Sequence, residues 1–490
     1  MVGAVSLLIL GFACSSLAQI PDVSGKDEIE ARIDRVIGGL LPEGDAPKQF
    51  GPKAALKDRM VHYHTPGVSI AVINRGRIEW ARGFGVREWG KSAPVSEQTI
   101  FQAGSISKPV FAMAVMRLVQ DGKLDLDEDV NRYLKSWKVP ANGPWQPRVT
   151  LRQLLSHTAG LTVHGFPGYG RTEPIPSVVE VLNGRAPANT KRVFVDILPG
   201  SRFRYSGGGT TVAQQLVVDV LGRPFPAIMQ ELVLRPLSMR SSTYEQPLPE
   251  DRAGVAATGH PSRNRPVEGG WHIYPEMAAA GLWTTPSDLA RLGLEVQRAL
   301  KRESDRVLDS DRAIAMLTPG IDPKIGIGFF LFGEGDNVRF GHSGADEGFV
   351  STMTFYKERG IGAVVMLNSY EGVPLLTEIE RAIAREYDWP GYFPDEAPKK
   401  PARLAPETLD RYVGSYVTKS KLAFAIARDG NALLLRFSNQ PPLELTAESE
   451  MKFSTTALNV SVTFEKNDEE DVTGLILEQD GTPTAAEREP

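Results

Sequence analysis

Five prolines fall between Trp389 and Pro406, at positions 390, 394, 398, 401 and 406. Such a stretch carries neither a helix nor an interior strand, so it cuts the chain into two units of different character. Upstream, helix-spaced apolar runs alternate with strand-like ones. Downstream, short runs at Tyr412–Tyr416, Ala423–Ala427, Leu433–Phe437, Leu443–Leu445, Val460–Phe464 and Thr473–Leu477 recur about every ten residues, the rhythm of a small all-β domain, barrel-like or sandwich-like. With 490 residues, two domains are expected on length alone.

In the upstream unit, residues 26–40 read as an amphipathic helix and 41–55 as a Pro/Gly-rich connection. Gly67–Asn74 and Arg77–Val86 flank Arg75-Gly76 and read as a hairpin. Helices are expected from Ser105 to about Gly122, at Leu151–Ser156 behind a Thr150 cap, at Thr210–Leu221, at Pro224–Leu234, and at Ser287–Leu300 with Ser287 as cap. Strand-like runs return at Gly328–Phe332, Val338–Phe340, Val350–Tyr356 and Gly362–Leu367, before a closing helix at Pro374–Tyr387. Strands at both ends with helices between predict one sheet assembled from distant segments, an α+β architecture.

The chemistry gathers in three places. Ser105-Ile106-Ser107-Lys108 stands at the head of an apolar helical run. Residues three apart share a helix face, and a Lys whose charge is disfavoured can take the proton that makes a Ser Oγ nucleophilic. A second match, Ser449-Glu450-Met451-Lys452, has no helix to present it. Tyr205 precedes Ser206 and the glycines 207–209 at a helix entrance, where a substrate or another backbone can come close. A cation beside Tyr205 would suit it to act as general base for Ser105. Gly341-His342-Ser343-Gly344 lies between two strand-like runs. An acyl group bound there places its carbonyl oxygen between the N–H groups of Ser105 and Ala345. His342 would line the site. His157 reads as loop scaffolding, and His62-Tyr63-His64 lacks partners at metal-binding spacing, so no metal and no cofactor is implied.

Taken in order, Ser105-x-x-Lys108, Leu154–Leu161, Tyr205-Ser206-Gly207, Ala280–Leu289 and His342-Ser343-Gly344 resemble the serine β-lactamase-like hydrolases over residues 56–390. The similarity is to the branch of class C β-lactamases, D,D-carboxypeptidases and family VIII-type esterases. It implies an antiparallel sheet flanked by helices beside a helical lobe, with residues 407–490 as the small β domain found on some members. By resemblance Ser105 is the acylated nucleophile, Lys108 its proton partner and Tyr205 the general base, with His342, Gly344, Ala345 and Gly207 on the substrate side. Two positions depart from the family: Gly207 stands where Asn is usual, and His342 where a Lys begins the strand motif. Both remove groups that orient a β-lactam. The implied activity is hydrolysis of an amide in a small or unusual peptide, or of an ester, with β-lactam hydrolysis and a non-catalytic penicillin or cell-wall-fragment receptor as further readings.

Net charge of −5 with no long Lys/Arg run argues against nucleic acid as a partner. Residues 1–18 read as an export leader ending at Ser16-Leu17-Ala18, which predicts a periplasmic or secreted protein. Lipid modification at Cys14, the one cysteine, is a variant of that reading. No run is long enough to span a bilayer. A small molecule or short peptide is the expected partner, and the β domain an interaction or gating element.

Overall fold

A computed structural model describes residues 23–42, 52–393, 404–418, 423–437, 442–455, 460–467, 469, 471–479 and 482–489. The expected leader, Cys14 and the middle of the proline-rich connection lie outside them. Six antiparallel strands form the main sheet: β1 (Gly67–Asn74), β2 (Arg77–Gly85), β3 (Phe330–Phe332), β4 (Arg339–Asp346), β5 (Phe349–Tyr356) and β6 (Gly362–Leu367). Their order is β2-β1-β6-β5-β4-β3, so the first strand of the unit pairs with the last. The β1–β2 turn puts Arg75 at φ 53° and Gly76 at φ 71°, the left-handed pair that a tight hairpin requires.

Alternation along β1 sorts its side chains to two cores. Val68, Ile70 and Val72 join Ile33, Val36, Leu375, Ile379 and Ile383, from the N-terminal helix α1 (Val23–Ile37) and from the late helix Val373–Glu386. Ala71 and Ile73 join the larger core with the helix Pro286–Leu300 and the helical lobe. At the centre of that lobe lies α2 (Ser107–Gln120), buried over most of its circumference, with α3 (Gly207–Leu221) among its neighbours in the core. A helix apolar all round has to be interior.

The C-terminal unit is a closed eight-stranded antiparallel barrel. It closes where Arg488 on the last strand pairs with Tyr416 on the first, and its interior stacks Tyr412 on Phe464 at 4.3 Å. Six of its strands fall on the expected runs, while Lys452–Thr455 and Thr482–Arg488 are additional. Both are mostly polar, so hydrophobic patterning passed over them. Three upstream expectations also change. The Thr210 helix begins at Gly207. Thr285, not Ser287, caps Pro286–Leu300, accepting from Asp288 N, because Pro286 occupies the first helical position. His342-Ser343-Gly344 lies inside β4, not between strands. No helix among the described residues is long and apolar enough to cross a membrane.

Candidate active site

From Phe101 to Met116, Ser105 alone is not buried. It sits in a single 3₁₀ turn, Gly104–Ile106, leading into α2. Residues i and i+3 eclipse in such a turn, which stacks Lys108 under Ser105. Lys108 Nζ donates to Ser105 Oγ at 2.8 Å and to Ala279 O at 2.8 Å. Lys108 is 5% exposed, and no carboxylate among the described residues lies within ion-pair distance of it. The Ala280–Leu289 stretch braces this turn. Ala103 N donates to Leu282 O, and Leu282 N donates to Ser107 Oγ at 3.0 Å. Ser107 Oγ in turn donates to Gly104 O at 2.6 Å.

Tyr205 arrives from the entrance to α3, its ring centroid 4.9 Å from Lys108 Nζ. His157 packs against its ring at 4.3 Å, with His164 at 5.0 Å and Phe330 at 6.3 Å. The scaffolding role expected of His157 thus has a definite object. Its Nδ1 accepts from Ser206 N at 3.2 Å, and burial followed by the Lys108 charge holds its pKa well below the ordinary value. The neutral ring therefore carries its proton on Nε2. Ser206 caps α3, accepting from Gly209 N at 2.9 Å. The glycines let a second segment close in: Gly207 N donates to His164 O and Gly208 N to Val163 O.

The edge of β4 forms the opposite wall. His342 is buried, and its Nδ1–H donates to Ser343 O. Burial, then the Lys108 charge, pushes its pKa down to about 3. His342 is thus a neutral group throughout the physiological range, and it supplies no fixed charge for a substrate anion. Gly344 presses so closely on the Ser105 turn that a Cβ there would lie 1.9 Å from Ala103 O. Ala345 is exposed, with its backbone against Gly104. Ser105, Lys108, Tyr205, His342, Gly344 and Ala345 all line one cleft of about 530 Å³. Gly207 does not. It is buried, and its α-carbon faces the Phe166 ring, whose edge is 3.0 Å from where a Cβ would be. The space beside Tyr205 is taken by that aromatic ring, which itself lines the cleft together with Phe203 and Phe330.

Two carboxyl groups behind the turn escaped the sequence reading. Asp346 accepts from Gly104 N at 3.1 Å. Glu276 is fully buried, and neither of its carboxyl oxygens has a partner among the described residues. Desolvation raises its pKa from 4.5 to about 7. A carboxyl raised on folding stabilises the fold below its unfolded pKa, and that stabilisation is lost as pH climbs through the folded one. Glu276→Gln should therefore gain stability relative to wild type between pH 5 and pH 8. The full gain is about 3 kcal/mol from the size of the shift. Denaturant unfolding at both pH values measures it, and a difference that does not grow with pH contradicts the assignment.

The sheet, the lobe and the cleft between them define a mixed α+β scaffold with a buried Lys under an accessible Ser. The chain belongs to the Beta-lactamase family, matching it over residues 53–387. Esterase EstB of Burkholderia gladioli is 30% identical over 226 residues, which cover 45% of this chain and 57% of the esterase. The match thus spans less than two thirds of that relative's length. Penicillin-binding protein 4* of Bacillus subtilis is 25% identical over 441 residues, 84% of this chain and 93% of that protein. Among solved structures, the octameric penicillin-binding protein homologue from Pyrococcus abyssi aligns with a TM-score of 0.59 at 21% identity. It covers 88% of this chain and 98% of its own. That is a likeness of fold. The family to which the chain belongs is one of hydrolases.

Proposed function

We propose that the chain is a serine hydrolase that cleaves an ester, or the amide of a small peptide, through an acyl-enzyme on Ser105. The contact that carries this reading is the 2.8 Å approach of Lys108 Nζ to Ser105 Oγ at the floor of the cleft. Ser105 Oγ attacks the substrate carbonyl, and its proton passes to the Tyr205–Lys108 pair. The N–H groups of Ser105 and Ala345 take the developing oxyanion. The leaving alcohol or amine collects the proton, and water then releases the acid and regenerates Ser105. An esterase and a penicillin-binding protein among the relatives fit both bond types.

Among the described residues lining the cleft, Lys108 is the one Lys or Arg, and His342 is neutral. Phe166, Phe203 and Phe330 supply much of its wall. An acyl donor without a carboxylate beside the scissile bond suits those surroundings, so penicillins rank below esters and blocked peptides. The leader-like residues 1–18 add the proposal that this chemistry takes place outside the cytoplasm.

The test is fluorophosphonate labelling of the purified chain, followed by turnover of p-nitrophenyl esters, peptide p-nitroanilides and nitrocefin. One phosphonate per chain with saturable ester or anilide turnover is the expected result. Labelling without turnover of any substrate favours a receptor, and no labelling at all refutes the acyl-enzyme.

A further inference from the structure

The residue before the nucleophile is pinned by a side chain that the acylation scheme does not use. Asp346 ends β4, one position beyond Ala345, and is 5% exposed. Its Oδ2 accepts the Gly104 N–H at 3.1 Å, across 242 positions of sequence. Gly104 adopts φ +52°, and a Cβ on it would come within 2.5 Å of Ala345 N. With its α-carbon against β4, the remaining freedom of Gly104 is rotation of the peptide that carries this N–H. Asp346 restricts it from the N–H side, and Ser351 Oγ, donating to Ala103 O at 3.1 Å, restricts it from the carbonyl side. That N–H belongs to the Ala103–Gly104 peptide, one before the peptide that leads into Ser105, so the carboxyl fixes the approach of the chain to the turn and through it the aim of Oγ and the spacing between the Ser105 and Ala345 N–H groups.

Three ionisable groups act on Asp346 from neighbouring elements: Lys108 on α2, and Tyr274 and Glu276 on the segment that enters the Met277–Ala280 helix. Burial and the Glu276 charge push the carboxyl up, while Lys108 and the Gly104 N–H pull it down, and burial prevails. Oδ1 is buried and has no partner among the described residues. Its Oδ2 is thus a buried acceptor held on the Gly104 N–H.

We propose that Asp346 is a positioning residue for acylation, its carboxyl holding the Gly104 peptide so that Ser105 Oγ meets the carbonyl in line. The proposal rests on the acyl-enzyme reading above. A misplacement of about 1 Å at a reacting atom costs on the order of 10²-fold in rate, so the effect belongs in the acylation step and not in substrate binding.

The experiment compares Asp346→Asn with Asp346→Ala by pre-steady-state ester hydrolysis, phosphonate labelling rate and a pH profile of kcat/KM. Asn keeps an acceptor of the same shape and should stay within about threefold of wild type. Ala should lose roughly 30- to 100-fold in acylation rate with substrate binding little changed. Should the Ala chain not fold, Asp346→Leu keeps the same branched heavy-atom outline without an acceptor and takes its place. An Ala or Leu chain within threefold of wild type overturns the proposal, as does an Asn chain as slow as either. A wild-type chain that takes up no phosphonate fails at the earlier step, and the proposal falls with the acyl-enzyme reading.

Discussion

Ser105→Ala should reduce turnover to assay background, a loss of about 10⁴-fold or more, as removal of a covalent nucleophile does elsewhere. The substitution deletes the one atom that Lys108 Nζ reaches on the cleft side and leaves its bond to Ala279 O. Bracing of the turn runs through Ala103, Gly104 and Ser107, not through the Ser105 side chain. The variant should therefore fold and melt like wild type. Loss of activity without loss of structure is the discriminating combination. Retention of a tenth of the wild-type kcat/KM, with the same substrate order, would falsify the nucleophile assignment. Loss of both activity and structure is not expected from a part-exposed Ser at this position.

Gly344→Ala should be nearly as damaging, for a steric reason. The added Cβ would sit 1.9 Å from Ala103 O and 2.8 Å from Ser351 Oγ. Ser351 Oγ itself donates to Ala103 O at 3.1 Å, so neither neighbour can turn aside without breaking that bond. The strand edge must then move off the nucleophile turn, which separates the Ala345 N–H from Ser105. A kcat/KM loss of about 10²-fold follows if the displacement approaches 1 Å, with a stability cost of about 1–3 kcal/mol for overpacking. Gly320→Ala, where nothing lies within 4 Å of the new methyl, is the matched control and should stay within about twofold. If Gly344→Ala behaves like that control, the close fit between β4 and the turn does not govern catalysis.

What the sequence made legible was whatever is encoded locally. Ser105 and Lys108 are three residues apart, and one turn brings them together. Thr150 announces itself as a cap, and its capping box with Gln153 is present. Arg75-Gly76 sits where the hairpin turns. Asp346 and Glu276 carry no such signal. Each is one acid among 60 acidic residues, and each matters because of what folds over it from far along the chain. The placement of Gly207 behind the Phe166 ring was hidden for the same reason. A glycine shows that a side chain is missing but not what fills the space, and here the Phe166 ring does. The polar barrel strands escaped because strand pairing, not apolar patterning, defines them.

Every long-range bond that steadies Ser105 comes from chain made much later. Lys108 reaches forward 171 positions, Ser107 accepts from 175 positions ahead, and Gly104 and Ala103 bond to residues 242 and 248 positions on. A nascent or truncated chain that stops short of β4 would hold Ser105, Lys108 and Tyr205 with the Ala279 and Leu282 bonds available but without the Asp346 and Ser351 bonds to Gly104 and Ala103. On the proposed acyl-enzyme reading, full reactivity is expected only once this far segment has docked. The time at which a refolding sample first takes up a phosphonate would mark the docking of β4 against the Ser105 turn.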